Sequence, residues 1–119
     1  MMVKTIKEII KERILVLDGA LGTMIQQYGL TENDFRGVEF ENHPVKLEGN
    51  NDILVLTRPD LIADIHRQYL EAGADVIETC TFNSQSISQS EYQTTDLVYR
   101  INLEAARLAR KEAELYFSV

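Results

Sequence analysis

The sequence predicts an α/β fold, because segments with helical spacing alternate with two short apolar runs. The first run is Ile14 to Leu17 and the second is apolar at Ala74, Val76 and Ile77, and each ends abruptly in polar residues. We interpret them as two parallel strands with flanking helices. Because a (β/α)8 TIM barrel takes about 250 residues, we expect residues 1–119 to be the first, incomplete part of such a barrel.

Apolar residues at helical spacing predict four helices around these strands. A leading amphipathic helix covers residues 1–12, and a short helix runs from Ala20 to Tyr28 and ends at Gly29. A third helix begins near Pro59, whose fixed φ suits a first turn, and ends at Gly73. The fourth helix covers residues 95–115.

Residues 31–51 are polar, lack a steady period and are broken by Gly37, Pro44 and Gly49. They predict a long loop, and loops longer than about 12 to 15 residues are often functional. This loop is therefore a candidate lid or packing arm. The final residues, YFSV, are apolar and resemble a further strand.

Composition excludes several classes of function. Twelve basic residues spread among 19 acidic ones, with a formal net charge of −7, argue against a nucleic-acid groove. No apolar run approaches the roughly 20 residues needed to cross a bilayer, and the charged first residues are unlike a secretory signal. We expect a cytoplasmic protein with a small molecule or a protein as its partner.

Two polar turns follow the predicted strands, DGALGT and ETCTFNS, at the strand ends that carry the working residues of parallel α/β folds. The first turn lacks the lysine of a phosphate-binding loop and matches GxGxxG poorly. Asp18 has two interpretations. It caps the next helix while Gly19 takes a backbone angle that other residues dislike, or it accepts hydrogen bonds from a ligand ammonium while glycine amides approach the ligand carboxylate.

The second turn is also open to two interpretations. Glu78 pairs with a neighbouring barrel residue while Thr79 and Thr81 cover strand edges, or these side chains line a ligand pocket. Phe82 is of a type found more often in a core than in a ligand wall. Both turns are therefore candidate binding elements.

The lone Cys80 excludes an internal disulfide framework. A cysteine at a strand end is typically a small buried hydrophobe, and no Cys-His-Asn arrangement accompanies it. His43 and His66 are 23 residues apart, one in the loop and one mid-helix, so the pattern does not favour a shared metal site. No catalytic or metal-ligating residue is predicted in this chain.

Four stretches together carry a family resemblance, and they span about Arg13 to Arg110. They are RILVLDGALGTMIQ, DFRG, LEGNNDILVLTRPDLIADIHRQYLEAGADVIETCTFNS and INLEAARLAR. They resemble the start of the homocysteine-binding domain of the cobalamin-dependent methionine synthases. DGA.GT is shared by all homocysteine S-methyltransferases, whereas DFRG with GNND.L.LT.PD.I points to the cobalamin-dependent branch rather than to its betaine-using relatives.

The resemblance implies a methyltransferase of methionine biosynthesis built on a (β/α)8 barrel. In this family, zinc held by three cysteine thiolates from late strands binds homocysteine as a thiolate, which attacks the methyl group of methylcobalamin. A neighbouring barrel binds methyltetrahydrofolate to remethylate the cobalt. Zinc fits this role because its charge favours deprotonation of a thiol near neutral pH.

The resemblance also implies which residues bind substrate. Asp18, Gly19 and Ala20 match the first-strand loop, which contacts the amino-acid end of homocysteine. The second-strand loop, lining the same pocket, is matched by Thr79, Thr81 and Phe82. Cys80 stands where the cobalamin-dependent enzymes most often have asparagine, so the pocket wall departs from the family pattern at this position.

The three zinc cysteines of the family lie in a part of its sequence that this chain does not contain. We therefore expect zinc, cobalamin and methyltetrahydrofolate to act in the full-length protein, and none of them to bind this chain alone. Its expected partners are homocysteine, the remaining barrel and the folate and cobalamin domains, with no nucleic acid and no membrane. The alternatives are a self-associating, non-catalytic fragment, a module completed by a partner, and an unrelated barrel enzyme such as a lyase.

Overall fold

The computed structural model describes residues 4–117. Two 3-10 helices, Asn51–Ile53 and Thr95–Leu97, lead directly into the α-helices that follow them. The α-helices are α1 (Ile6–Ile9), α2 (Leu21–Gln26), α3 (Glu32–Arg36), α4 (Leu54–Thr57), α5 (Pro59–Glu71), α6 (Ser86–Ser90) and α7 (Val98–Phe117).

Helices α5 and α7 form the centre of the core and pack against each other and against α4. Helix α5 begins at Pro59, as predicted, and the chain leaves it through Gly73, whose φ of 108° is costly for other residues. The centre of each apolar stripe expected from helical spacing is buried. The fully buried apolar residues of α4, α5 and α7 are Leu54, Ile62, Ile65, Ile101 and Ala105.

The two predicted strands are not present as strands among residues 4–117. They lie side by side in parallel and meet at a single bridge between Leu17 and Val76. The Asp18 N–H donates to the Val76 carbonyl at 2.9 Å, and the Asp75 N–H donates to the Val16 carbonyl at 2.8 Å. An isolated pair of short strands is marginal, and Leu17 remains 58% exposed, so the pairing does not extend into a ladder. The barrel stays a prediction.

The leading helix is shorter than predicted. Thr5 and Glu8 form a capping box around α1, but none of the residues of α1 is buried. Without an apolar surface to cover its stripe, the helical spacing produces only this short segment. Residues 1–3 of the predicted helix lie outside the described part of the chain.

Helix α7 extends further than predicted. Tyr116 and Phe117 continue the helix and do not begin a strand, whereas residues 118–119 of the predicted strand lie outside the described range. The helical period set by Ile101 to Ala109 therefore overrides the apolar character of the last residues. Within residues 4–117, no helix combines the length and the apolarity needed to cross a membrane.

Residues 31–51, predicted as a long loop, contain α3 and pack onto the body of the protein. Phe35 is 4% exposed and Leu47 is fully buried. The Arg36 guanidinium donates to Glu32 at 2.6 Å and to the carbonyl oxygens of His43 at 2.7 Å and Val45 at 3.0 Å. One side chain thus satisfies backbone acceptors that no regular structure pairs.

Replacing Arg36 by alanine should lower the free energy of unfolding by about 2 to 3 kcal/mol, because charged hydrogen bonds to partly buried acceptors are lost. Arg110 provides a matched control, since it forms the same i,i+4 pair at the same 2.6 Å but is 79% exposed. Arg110→Ala should cost less than about 1 kcal/mol. Urea unfolding measures both, and equal losses would contradict the role of Arg36.

A second ion pair links the extended segment before Asp18 to the extended segment that contains Asp75. Arg13 Nη1 and Nη2 lie 2.9 and 2.7 Å from the two Asp75 oxygens, and the Val16 N–H donates to Asp75 Oδ2 at 2.9 Å. The Arg13 hydrogen bonds, followed by that of Val16, lower the pKa of Asp75 to about 2. The ionised carboxylate is therefore the form that the fold stabilises.

Because the folded pKa of Asp75 lies below the value of about 3.9 for an unfolded chain, its contribution is present above pH 4. It should be lost as the pH falls from about 4 to about 2. Asp75→Asn should lower the melting temperature at pH 7, and the difference from wild type should shrink over that window. Asp96→Asn, at an exposed position, is the control. A difference that stays constant from pH 7 to pH 2 would contradict the assignment.

Candidate functional site

A cavity of about 730 Å3 opens where the two extended segments end. Parallel pairing brings both carboxyl ends to the same edge, so the two polar turns face each other across the cavity. All six residues predicted to bind substrate line it: Asp18, Gly19, Ala20, Thr79, Thr81 and Phe82. The structure thus brings the predicted residues together around one cavity.

Asp18 joins the two turns. Its Oδ2 accepts the Glu78 N–H at 2.9 Å, whereas Oδ1 is buried and has no hydrogen-bond partner within the described residues. The residue before α2 is Ala20, and no side chain caps that helix. The interpretation of Asp18 as a helix cap is therefore wrong.

The φ of Gly19 is not positive, so its backbone angle does not require glycine. Glycine is needed here because a side chain of α5 approaches closely. Tyr69 of α5 donates its hydroxyl proton to the Ala20 carbonyl at 2.7 Å. A Cβ atom on Gly19 would lie 3.0 Å from the same Tyr69 oxygen. The absence of a side chain at Gly19 therefore lets Tyr69 hold the turn at the cavity edge.

In the second turn, Thr79 and Thr81 are half-buried, whereas Phe82 is exposed. The Thr79 and Thr81 hydroxyl oxygens are 2.7 Å apart and share a hydrogen bond, so both hydroxyls lie on the cavity side of the same segment. Phe82 is 94% exposed, and the interpretation of this ring as core is wrong. The ring is an exposed apolar part of the cavity wall.

Asp52 is a site residue that the sequence analysis missed. It is 3% exposed, and its Oδ2 accepts the Asn83 N–H and the Ser84 hydroxyl, both at 2.7 Å. Asp52 and Asn51 also line the cavity. The GNND run contains both, but a polar run beside a long loop predicts an exposed surface, so nothing local marks Asp52 as buried.

Cys80 is buried beneath the second turn, as its sequence context predicts. Its Sγ donates to Asp52 Oδ1 at 3.7 Å. Burial, with a smaller effect from the charge of Asp52, raises the pKa of the thiol far above its usual value. A protonated, buried thiol is neither a nucleophile nor a metal ligand.

The two histidines have different surroundings. His43 Nε2 lies 2.7 Å from the Tyr92 carbonyl oxygen, whereas His66 is fully buried in α5. In the part of the chain that the structure describes, no three His, Cys, Asp or Glu side chains form a group that could hold a metal ion. The described residues therefore do not supply a ligand set for the zinc that the resemblance implies.

The comparison with known families agrees with this geometry. The family model described as Homocysteine S-methyltransferase matches residues 15–118, which include both turns that line the cavity and the helix that supports them. The match covers most of the 119 residues. The chain belongs to the homocysteine S-methyltransferase family.

Proposed function

We propose that this chain forms the first part of the homocysteine-binding barrel of a cobalamin-dependent methionine synthase. The observation that carries the proposal is Asp18, a carboxylate held at the cavity edge by the backbone of the opposite turn. Within the family, the DFRG and GNND stretches favour the cobalamin-dependent branch. In the structure, these stretches supply Arg36, which organises residues 31–51, and Asp52, which fixes the second turn.

The cavity wall suits the amino-acid end of homocysteine. A carboxylate accepts hydrogen bonds from an ammonium group, and such charged bonds are among the stronger ones. Gly19 lines the cavity with backbone atoms alone, so the ligand carboxylate can approach the backbone of the first turn there. The hydroxyls of Thr79 and Thr81 can donate or accept on the opposite side.

In this proposal the residues of the chain bind and orient the substrate. Held at its polar end, homocysteine presents its thiol as the part left free to react. Such fixed orientation is a large share of what an enzyme contributes to a transfer between two bound groups. Zinc, methylcobalamin and methyltetrahydrofolate would be supplied by, or bound to, other parts of the full-length protein, and the product would be methionine.

The same structure supports a second proposal, that residues 1–119 alone are inactive and self-associate. Ile14 is 87% exposed and Val16 is 54% exposed on the extended segment, and Phe117 is 74% exposed at the end of α7. Exposed strand edges and apolar surfaces promote association. Sedimentation should show a mass above the monomer, and an assay with methylcobalamin should show no methionine. A monomer that transfers the methyl group would overturn this proposal.

Asp18→Asn in the complete protein should weaken homocysteine binding by about 1 to 3 kcal/mol, or roughly 5- to 150-fold. The physical reason is the loss of a charged acceptor for the ammonium group. Calorimetric titration with homocysteine gives the dissociation constant. Asp60→Asn is the control, because Asp60 is an exposed carboxylate on α5 that is not part of the cavity wall.

An unchanged dissociation constant for Asp18→Asn, accompanied by a lower melting temperature, would mean that Asp18 only holds the two turns together. That outcome would contradict its assignment as a substrate contact.

A further inference from the structure

Three buried side-chain polar atoms have no hydrogen-bond partner within residues 4–117. They are Asp18 Oδ1 and the two ring nitrogens of His66. Buried polar groups are nearly always paired, because each unpaired group loses its bonds to water without compensation. Unpaired atoms concentrated on only two residues, one an acceptor and the other a donor, suggest that the two belong together.

His66 is related to the first turn through Tyr69, a neighbour on the same helix. His66 precedes Tyr69 by three residues on α5, so the two side chains share a helix face. Tyr69 is the residue whose hydroxyl bonds the Ala20 carbonyl. His66 therefore lies about one helical turn before the residue of α5 that holds residues 18–20.

Electrostatics also link the two residues. Burial lowers the pKa of His66, while the negative charges of Asp18 and Glu112 act in the opposite direction. Burial has the largest effect, so the imidazole is neutral near pH 7. A neutral imidazole carries one N–H donor and one acceptor nitrogen.

Glu112 of α7 is the other carboxylate whose charge acts on His66. It is 5% exposed, and its Oε2 accepts a hydrogen bond from Arg67 Nη2 at 3.2 Å. Its charge is therefore already balanced by a residue of α5. Asp18 Oδ1 is the acceptor that still needs a donor.

We propose that His66 is a positioning residue for Asp18. Because neither residue is within hydrogen-bond distance of a partner for these atoms, one bridging water carries the bond from the His66 N–H to Asp18 Oδ1. The Glu78 N–H holds Oδ2. The carboxylate is then fixed from both sides at the angle that the substrate ammonium requires. This inference rests on the proposed function, since it assigns to His66 a part in recognising an α-amino acid without contact with it.

A double-mutant cycle in the complete protein tests the link. Titration with homocysteine compares wild type, His66→Leu, Asp18→Asn and the double variant. His66→Leu alone should weaken binding about 3- to 10-fold, the range for one hydrogen bond. Combined with Asp18→Asn, the same change should alter the dissociation constant by less than about 2-fold, because the group that His66 positions is already altered.

Two further measurements separate positioning from a merely structural role. His66→Asn and His66→Gln each keep an N–H donor near the position of one ring nitrogen, and at least one of them should stay within about 2-fold of wild type. 4-Mercaptobutyrate, which is homocysteine without the amino group, should bind wild type and His66→Leu equally. His43→Gln, which alters the other histidine away from the cavity, should leave homocysteine binding unchanged.

The outcomes distinguish the inference from the proposed function. Equal losses from His66→Leu in both backgrounds, or an equal loss for 4-mercaptobutyrate, would overturn the positioning role. An effect of Asp18→Asn without any effect of the His66 variants would overturn it too, while leaving the proposed function intact. A wild-type protein that does not bind homocysteine would overturn both.

Discussion

The parallel contact between residues 14–18 and 74–78 determines the position of every group in the candidate site. The two segments share only one bridge, but three backbone hydrogen bonds and the Arg13–Asp75 ion pair fix their register. A shift of one residue would turn Asp18 to the other face of the pair. The Asp18 carboxylate then could not reach the Glu78 N–H, and the two turns would no longer enclose one cavity.

Helix α5 stabilises the first of the two turns that follow this contact. It carries Tyr69, which holds the first turn through the Ala20 carbonyl, and it packs against α7 in the core. Asp52 performs the equivalent task for the second turn through the Asn83 N–H. Each turn is thus held by a residue from a neighbouring segment, which is how a site keeps its shape before a ligand arrives.

Sequence patterns predicted the features that depend on local order. Pro59 marked the start of α5, and the polar residues after each apolar run marked both walls of the cavity. The patterns failed where distant contacts decide. Burial of Asp52 depends on Asn83 and Ser84, about 30 residues away, and the order of residues 31–51 depends on one arginine that collects their carbonyl groups.

The failure on strands has a similar cause. Apolar runs show that a segment can pair, whereas a ladder needs neighbours on both sides. The segment around Leu17 has one neighbour, Val76, in the part of the chain that the structure describes. Helical spacing alone also overestimated the length of the leading helix. An amphipathic segment forms a stable helix only when its apolar stripe packs against another part of the protein.

The central claim is that the cavity between the two turns binds homocysteine by its amino-acid end. A crystal structure of the complete protein with bound homocysteine tests it most directly. The account predicts the substrate ammonium within hydrogen-bonding distance of the Asp18 carboxylate, about 2.7 to 2.9 Å, with the substrate between the turns at Gly19 and Thr79. Homocysteine bound elsewhere, or bound here with its ammonium turned away from Asp18, would contradict it.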